Sequence, residues 1–310
     1  MSHSQHDHDE APDPILREVS DGVFAYVQLD GSWGLNNTGF FVGADGVVVI
    51  DTCFTERRSR AFLGAVRSVT DRPLRTLVNT HHHGDHTHGN WLLPEATIVG
   101  HELCRSAVID GGHAAKALFP GVDWGEIPVT PPFLTFEQRL TIHVDDLAVE
   151  LQFQGPAHTT NDVVAWVPAH KLLFAGDLVF NGGTPFVVMG SVSGSIAAVE
   201  RLQALGAETI VPGHGDVCGP EVLQDQLDYL RFVQSLARDA VASGTGALDA
   251  ARQCDLGRFG EWHDAERLVG NLHRAMAEAR GLAPGGDMDI LGPIAEMIEF
   301  NGGRPLRCLA

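Results

Sequence analysis

One stretch restricts the possible folds of this chain more than any other: Thr80-His81-His82-His83-Gly84-Asp85-His86, entered from the apolar run Leu77-Val78. Read as His-x-His-x-Asp-His, it crowds four metal-binding side chains into one turn at the end of a predicted strand. Imidazole nitrogen and carboxylate oxygen are ligands that Zn²⁺ takes readily and that Fe and Mn also accept. Three later segments repeat the arrangement singly: Gly155-Pro156-Ala157-His158, Phe174-Ala175-Gly176-Asp177 and Val211-Pro212-Gly213-His214. Each sets one His or Asp in a Gly- or Pro-containing loop just after an apolar run. Seven such side chains suffice for two metals, and a fold that gathers them must bring several strand ends to one place. The N-terminal His3, His6 and His8 lack that setting and read as a plain polar, His-rich surface stretch.

The remaining periodicities supply those strands. The acidic, polar residues 1–14 read as a disordered tail. Residues 15–29 read as two strands turning at Asp21-Gly22, and Gly39-Phe40-Phe41-Val42 with Val47-Val48-Val49-Ile50 as a second hairpin around Asp45-Gly46. A helix is predicted over 55–69, where Ala61, Phe62, Ala65, Val66 and Val69 recur at helical spacing. A strand over 75–78 feeds the His cluster, and a helix is expected to begin at Asp85. A strand at 97–99 and a helix at 102–110 follow. Strands over 134–144, 147–153, 163–167 and 171–174, a helix over 196–205 and a strand over 209–211 lead to His214. This alternation indicates an α/β architecture. Between 111 and 132 the periodicity lapses among Gly and Pro, and a loop of that length inside a compact domain tends to be functional.

After Gly219-Pro220 only helices are predicted, over 221–242, 247–253, 264–279 and 290–300. Charges interrupt their apolar positions at helical period, so they read as packed on a core. The expected organisation is a tail at 1–14, a catalytic domain at 15–218 and a helical extension at 219–310 packed on the same domain.

With 310 residues and 44% hydrophobic content, the chain can bury a substantial core. No apolar run approaches the roughly 18 residues that span a bilayer, so no membrane segment is expected. The net charge of −19 leaves no basic stripe for nucleic acid. The five cysteines are odd in number and show no Cys-x-x-Cys spacing, and the first residues lack a basic start and an apolar core. A cytoplasmic setting is the expectation. Cys53 and Cys218, close in sequence to the ligand set, read as small buried residues.

In this order and these strand–loop settings, the seven residues resemble the metallo-β-lactamase superfamily of binuclear metallohydrolases over roughly the first two thirds of the chain. The resemblance implies an αββα sandwich. It implies that His81, His83 and His158 hold one metal, that Asp85, His86 and His214 hold a second, and that Asp177 bridges them. Two Zn²⁺ are the expected cofactors, with Fe or Mn as alternatives. Asp51, at the end of its strand, would orient the ligand loop by hydrogen bonds. Asp85 would also act catalytically, orienting the metal-held hydroxide that attacks an acyl carbonyl. Asp177, where the commonest true lactamases carry Cys, points toward the hydrolase branch that includes glyoxalase II.

A longer resemblance adds Val122-Asp123-Trp124-Gly125-Glu126-Ile127, the stretch from Ala265-Glu266-Arg267-Leu268 through Asn271-Leu272-His273-Arg274-Ala275, and Phe300-Asn301-Gly302-Gly303 with Cys308-Leu309-Ala310. Together with the His cluster these are similar to the cyclase–thioesterases of aromatic (type II) polyketide biosynthesis in actinomycetes. That similarity implies closure of a later ring of a polyketide held on an acyl carrier protein, then hydrolysis of the thioester. Trp33, Leu35, Phe119, Trp124, Phe186 and Met189 are candidates for a flat apolar pocket, with Asn181 and Thr184 as hydrogen-bonding candidates. Arg57, Arg58 and Arg60 form the one basic cluster that could dock an acidic carrier. The alternative is a generic hydrolase of the same fold, a glyoxalase II-like thioesterase or a lactonase, which shares every metal ligand.

Overall fold

The computed structural model describes residues 11–310. Two sheets lie face to face. The first has the spatial order β1 (Ile15–Ser20), β2 (Val23–Val27), β3 (Thr38–Gly43), β4 (Gly46–Ile50), β5 (Leu74–Val78), β6 (Thr97–His101) and β7 (Leu134–Phe136). The second contains β8 (Arg139–Val144), β9 (Leu147–Phe153), β10 (Val163–Val167), β11 (Leu172–Phe180) and β12 (Thr209–His214), and runs spatially from β12 back to β8. The helices are α1 (Glu56–Val69), α2 (Gly84–Thr87), α3 (Glu102–Gly111), α4 (Ala115–Leu118), α5 (Val192–Leu205), α6 (Glu221–Ser243), α7 (Ala247–Gln253), α8 (Arg267–Ala279) and α9 (Leu291–Phe300).

Successive strand residues point to opposite faces, and that alternation sorts the apolar residues into layers. Phe41, Val48, Ile50 and Val78 face inward, where they meet Val163, Ala165, Val167 and Phe174 of the second sheet. Their neighbours Phe40, Val47, Val49 and Leu77 face outward and are covered by Phe62 and Val66 of α1. On the far side, Val164, Trp166, Leu173 and Ala175 pack beneath Val199 and Leu202 of α5 and Leu227 and Leu230 of α6. Helix, sheet, sheet and helix therefore stack as an αββα sandwich. Leu268, Leu272 and Met276 of α8 and Met297 of α9 join the same outer core, so the C-terminal helices share it with the second sheet.

The helix α1 begins where the sequence provides a cap. The Thr55 side chain accepts from the Arg58 amide, and Glu56 places a negative charge at the first turn. Arg58 itself is buried, donating to Gln28 Oε1 at 2.8 Å and to the Leu309 carbonyl at 2.7 Å. The expected basic cluster is corrected accordingly: only Arg57 and Arg60 are exposed, and Arg60 is paired with Glu56 at 2.7 Å.

Several boundaries differ from expectation. The single strand expected at 134–144 is two, with β7 on the edge of one sheet and β8 on the edge of the other. Leu134, Phe136, Leu140, Ile142 and Val144 keep the same two-residue phase on both sides of that change of sheet, with Gln138 the one polar member of the series, so the pattern hides it. Strand β11 runs on to Phe180 through a register shift at Gly176, α5 starts at Val192 because Ser191 caps it, and α8 starts at Arg267. Helix α2 starts at Gly84 and is a single turn. The 111–132 segment holds only the short α4. Residues 1–10 of the expected tail lie outside the described residues, and 11–14 form no regular element. Among the described residues no helix is long and apolar enough to cross a membrane.

Candidate metal centre

Four strand-linked segments converge at one end of the sandwich. His81 and His83 follow β5 directly, and His83 is the N-cap of α2, so Asp85 and His86 project from that helix's only turn. His158 lies in the β9–β10 connection, Asp177 within β11 just past Gly176, and His214 closes β12. Gly213 is demanded by close approach: a Cβ there would sit 1.9 Å from Asp177 Oδ1.

The side chains form two groups, His81, His83, His158 and Asp177 in one, and Asp85, His86 and His214 in the other, with the ligand atoms of each within 4.8 Å of one another. His83 Nδ1 is 2.8 Å from His158 Nε2. Asp177 stands between the groups: its Oδ2 is 3.2 Å from His158 Nε2 and 3.3 Å from His214 Nε2, while its Oδ1 is 3.1 Å from His86 Nε2. Asp85 Oδ2 lies 3.3 Å from His214 Nε2. The structure thus brings together all seven residues of the sequence-derived set.

Hydrogen bonds behind the centre fix how the rings point. His158 Nδ1 donates to the Phe186 carbonyl, and His214 Nδ1 donates to the Gly31 carbonyl at 3.1 Å. His86 Nδ1 donates to Asp51 Oδ2 at 2.8 Å. His81 Nδ1 donates at 3.1 Å to Thr80 Oγ1, which in turn donates to Asp51 Oδ2 at 2.7 Å. With Nδ1 engaged, each of these four rings turns Nε2 toward the others, the tautomer that metal ligation requires. Asp51 is the anchor for two of them and also accepts from the Thr80 amide at 2.8 Å.

The residues present fit divalent metals. His81 Nε2, His86 Nε2 and Asp177 Oδ1 are buried without a hydrogen-bond partner, and the 3.1 Å approach of the last two is misaligned for one. Buried polar atoms left unpaired cost on the order of 1–3 kcal/mol each, and a cation among them satisfies all three. Electrostatics point the same way. Burial holds His81 and His83 well below the usual histidine range. Burial also opposes charge on His86 and His214, but the surrounding carboxylates outweigh it. His86 is held well above its ordinary value and His214 is pushed up to about 9. Asp85 and Asp177, though buried, are kept well below the carboxylate range by those same imidazoles. The cluster is built to hold positive charge.

A cavity of about 200 Å³ opens over the centre, with His83, Asp85, His158, Asp177 and His214 in its lining. Four of the expected pocket residues line it: Trp33, Phe119, Phe186 and Met189. Four do not. Leu35 is wholly buried in the core, and Trp124 packs behind the wall on Phe54, with ring centroids 4.7 Å apart. Asn181 Nδ2 donates to the Asp216 carbonyl, and Thr184 is buried with its carbonyl accepting from Arg267. Sequence reasoning missed Phe54, Val188, Ile290, Ile294 and Arg267, whose place in the lining depends on contacts between distant segments. Cys53 is buried with its thiol pushed far up by burial, Cys218 is pushed up to about 12 by burial, and neither belongs to a ligand group.

Residues 31–214 match the family model of the metallo-β-lactamase superfamily. The chain belongs to that superfamily. Its matched region ends at His214, before α6. Among curated relatives, it is 29% identical over 200 residues to the 2,4-dinitroanisole O-demethylase subunit alpha of Nocardioides sp. (strain JS1661), covering 63% of this chain and 54% of that one. It is 23% identical over 238 residues to the metallo-beta-lactamase type 2 of Bacteroides fragilis, covering 73% and 89%. It is 29% identical over 157 residues to the hydroxyacylglutathione hydrolase of Rhodospirillum rubrum, covering 49% and 50%. The match therefore spans about half the length of the first and third of these relatives. A solved metallo-beta-lactamase from Pontibacter korlensis shares the fold, with a TM-score of 0.60 at 21% identity over 71% of this chain and 99% of that one. As a superfamily member, the protein has the metallo-β-lactamase fold, with His and Asp groups that suit metal ions.

Proposed function

We propose that this protein cleaves the thioester of an aromatic acyl group. More specifically, we read it as a cytoplasmic cyclase–thioesterase that closes a later ring of an aromatic polyketide on its acyl carrier protein and then releases the acid. One observation carries the reading: the metal-binding side chains share a narrow cavity with Trp33, Phe54, Phe119, Phe186 and Met189. Arg267 is the one Lys or Arg among the described lining residues, and it is already engaged by Asp264 at 2.7 Å and the Thr184 carbonyl at 2.9 Å. A glutathione thioester brings carboxylates that would find no free cation there, so the lining favours an uncharged aromatic acyl group over a glyoxalase II-like substrate.

Bound at the centre, divalent metals supply an activated water and polarise a carbonyl. The chain's own residues supply the rest. Asp85 is a cavity-lining carboxylate that stays ionised at neutral pH, so it can accept a hydrogen bond from the attacking water and orient it. Trp33 and Phe119 exclude bulk water from the acyl portion. By confining a flexible chain in a plane they also bring its reacting carbons together before ring closure. Of the Arg57, Arg58 and Arg60 cluster, Arg57 and Arg60 are exposed and left for a carrier, Arg60 alongside its pairing with Glu56. The chain's own negative charge weakens long-range steering of an acidic partner.

The test is thiol release, with products identified by mass spectrometry, from an aromatic polyketide-like thioester by metal-replete protein. Release that disappears in His83→Ala and Asp177→Ala is the expected result. Turnover of simple lactones or glutathione thioesters, with none of the aromatic thioester, would replace this reading with the generic hydrolase.

A further inference from the structure

Helix α8 contributes no metal ligand, yet it grips both walls of the cavity. Glu266, its N-cap residue, accepts from Trp33 Nε1 at 2.8 Å. The Arg267 guanidinium carbon lies 4.0 Å from the centroid of the same indole. Trp33 is thus fixed at its edge by a hydrogen bond and on its face by a cation–π contact. Further along, Asn271 accepts from the Val187 amide at 2.8 Å and donates to the Pro185 carbonyl at 2.7 Å. Arg274 Nε donates to the Val188 carbonyl at 2.9 Å, and Glu278 accepts from the Val192 and Ser193 amides.

The spacing 267, 271, 274 and 278 puts these four side chains on one stripe of the helix. That stripe holds the backbone of 184–193, the segment that carries Phe186, Val188 and Met189 into the cavity. Trp33 and Phe186 meet edge to face at 5.0 Å, so the two gripped walls brace each other. Arg267, Asn271 and Arg274 are all buried, and buried polar groups that are paired in this way give a wall little freedom to move.

We infer that α8 sets the acyl-group specificity of the metal centre. Through Glu266 and Arg267 it fixes Trp33, and through Asn271 and Arg274 it fixes 186–189, leaving a rigid slot that takes a planar aromatic group in preference to a flexible alkyl chain. Glu266 and Arg267 are positioning residues, and Trp33 makes the contact. A rigid slot favours a planar ligand because such a ligand loses little rotamer freedom on entry, whereas an alkyl chain loses much. The identity of the acyl group as substrate rests on the thioesterase reading; the shape of the slot does not.

Binding of two product-like probes, 2-naphthoate and decanoate, to metal-replete protein tests this by calorimetry and tryptophan fluorescence. Glu266→Leu is expected to weaken naphthoate binding roughly tenfold while changing decanoate binding less than about twofold. Glu266→Gln keeps the acceptor and restores naphthoate affinity, and Trp33→Leu repeats the selective loss by removing the wall itself. Metal affinity by chelator competition stays at the wild-type value in Glu266→Leu, which separates the wall from the centre. Equal losses for both probes, or undiminished naphthoate binding in Glu266→Leu, overturn the inference. Should wild-type protein release no thiol from an aromatic thioester yet show this selective pattern, the thioesterase reading fails and the role of α8 stands.

Discussion

Replacing Asp51 with Asn isolates what a carboxylate behind the metal ligands does. Asp51 has φ of 58°, a left-handed conformation that Asn tolerates, so the backbone is not at issue. The carboxylate accepts three hydrogen bonds, from the Thr80 amide, Thr80 Oγ1 and His86 Nδ1. An amide has one oxygen. Whichever way it turns, its NH₂ group faces a donor, either the Thr80 amide or the imidazole. Facing His86, it drives that ring's proton from Nδ1 to Nε2, the atom that should ligate. Losing an outer hydrogen-bond partner of this kind costs about 10- to 100-fold in metal affinity, or about 1.4–2.7 kcal/mol. The fold itself should suffer less. Burial already pushes the Asp51 carboxyl above its usual range, so removing its charge relieves a cost. Chelator competition on Asp51→Asn, with thermal melts of the metal-free protein alongside, checks both halves. A metal affinity within twofold of wild type would refute the orienting role.

The pH dependence of metal binding has a definite sign. His86 and His214 have pKa values raised above the ordinary histidine value, so metal must displace about two protons, and affinity should climb as pH rises toward 9. For the metal-free protein, the stability contributed by His214 is full below about 6.5 and is lost as pH rises through about 9. Calorimetry in buffers of different ionisation enthalpy, with melts from pH 6 to 9, should therefore show proton release and a widening gap between metal-bound and metal-free Tm. In the core, Phe62 is fully buried between Tyr26 and Phe40. Phe62→Ala should cost about 3–5 kcal/mol in urea unfolding without moving KM. Arg57→Glu with Arg60→Glu should raise KM for a carrier-bound thioester and leave KM for a small thioester mimic unchanged; equal effects on both would remove the docking role.

Much of the centre was legible in the sequence because every ligand sits at or just beyond an apolar run, and strand ends are where chemistry collects in such folds. The layers were legible too, since Phe40-Phe41 and Val47-Val48-Val49-Ile50 supply residues alternately to the outer and inner cores. What could not be read depends on contacts between distant segments. Periodicity resumes in the same phase at Leu140, beyond the change of sheet at 137–138. Arg58 has the pattern of a solvated cation, and only Gln28 and Leu309 reveal it as buried. Trp33 and Leu35 are two residues apart and both apolar, yet one lines the cavity and the other fills the core. The residues of α8 lie within a stretch that supported the family resemblance, but their grip on 184–193 appears only once the chain is folded.

The central claim is that two metals held by these seven residues drive thioester cleavage. Titrating metal-stripped protein with Zn²⁺ while following thiol release from an aromatic thioester tests it most directly. The expected result is two equivalents bound per chain, release rising with occupancy, and both features lost in Asp177→Ala. Release that persists after chelation, or a single equivalent that gives full activity, would contradict it.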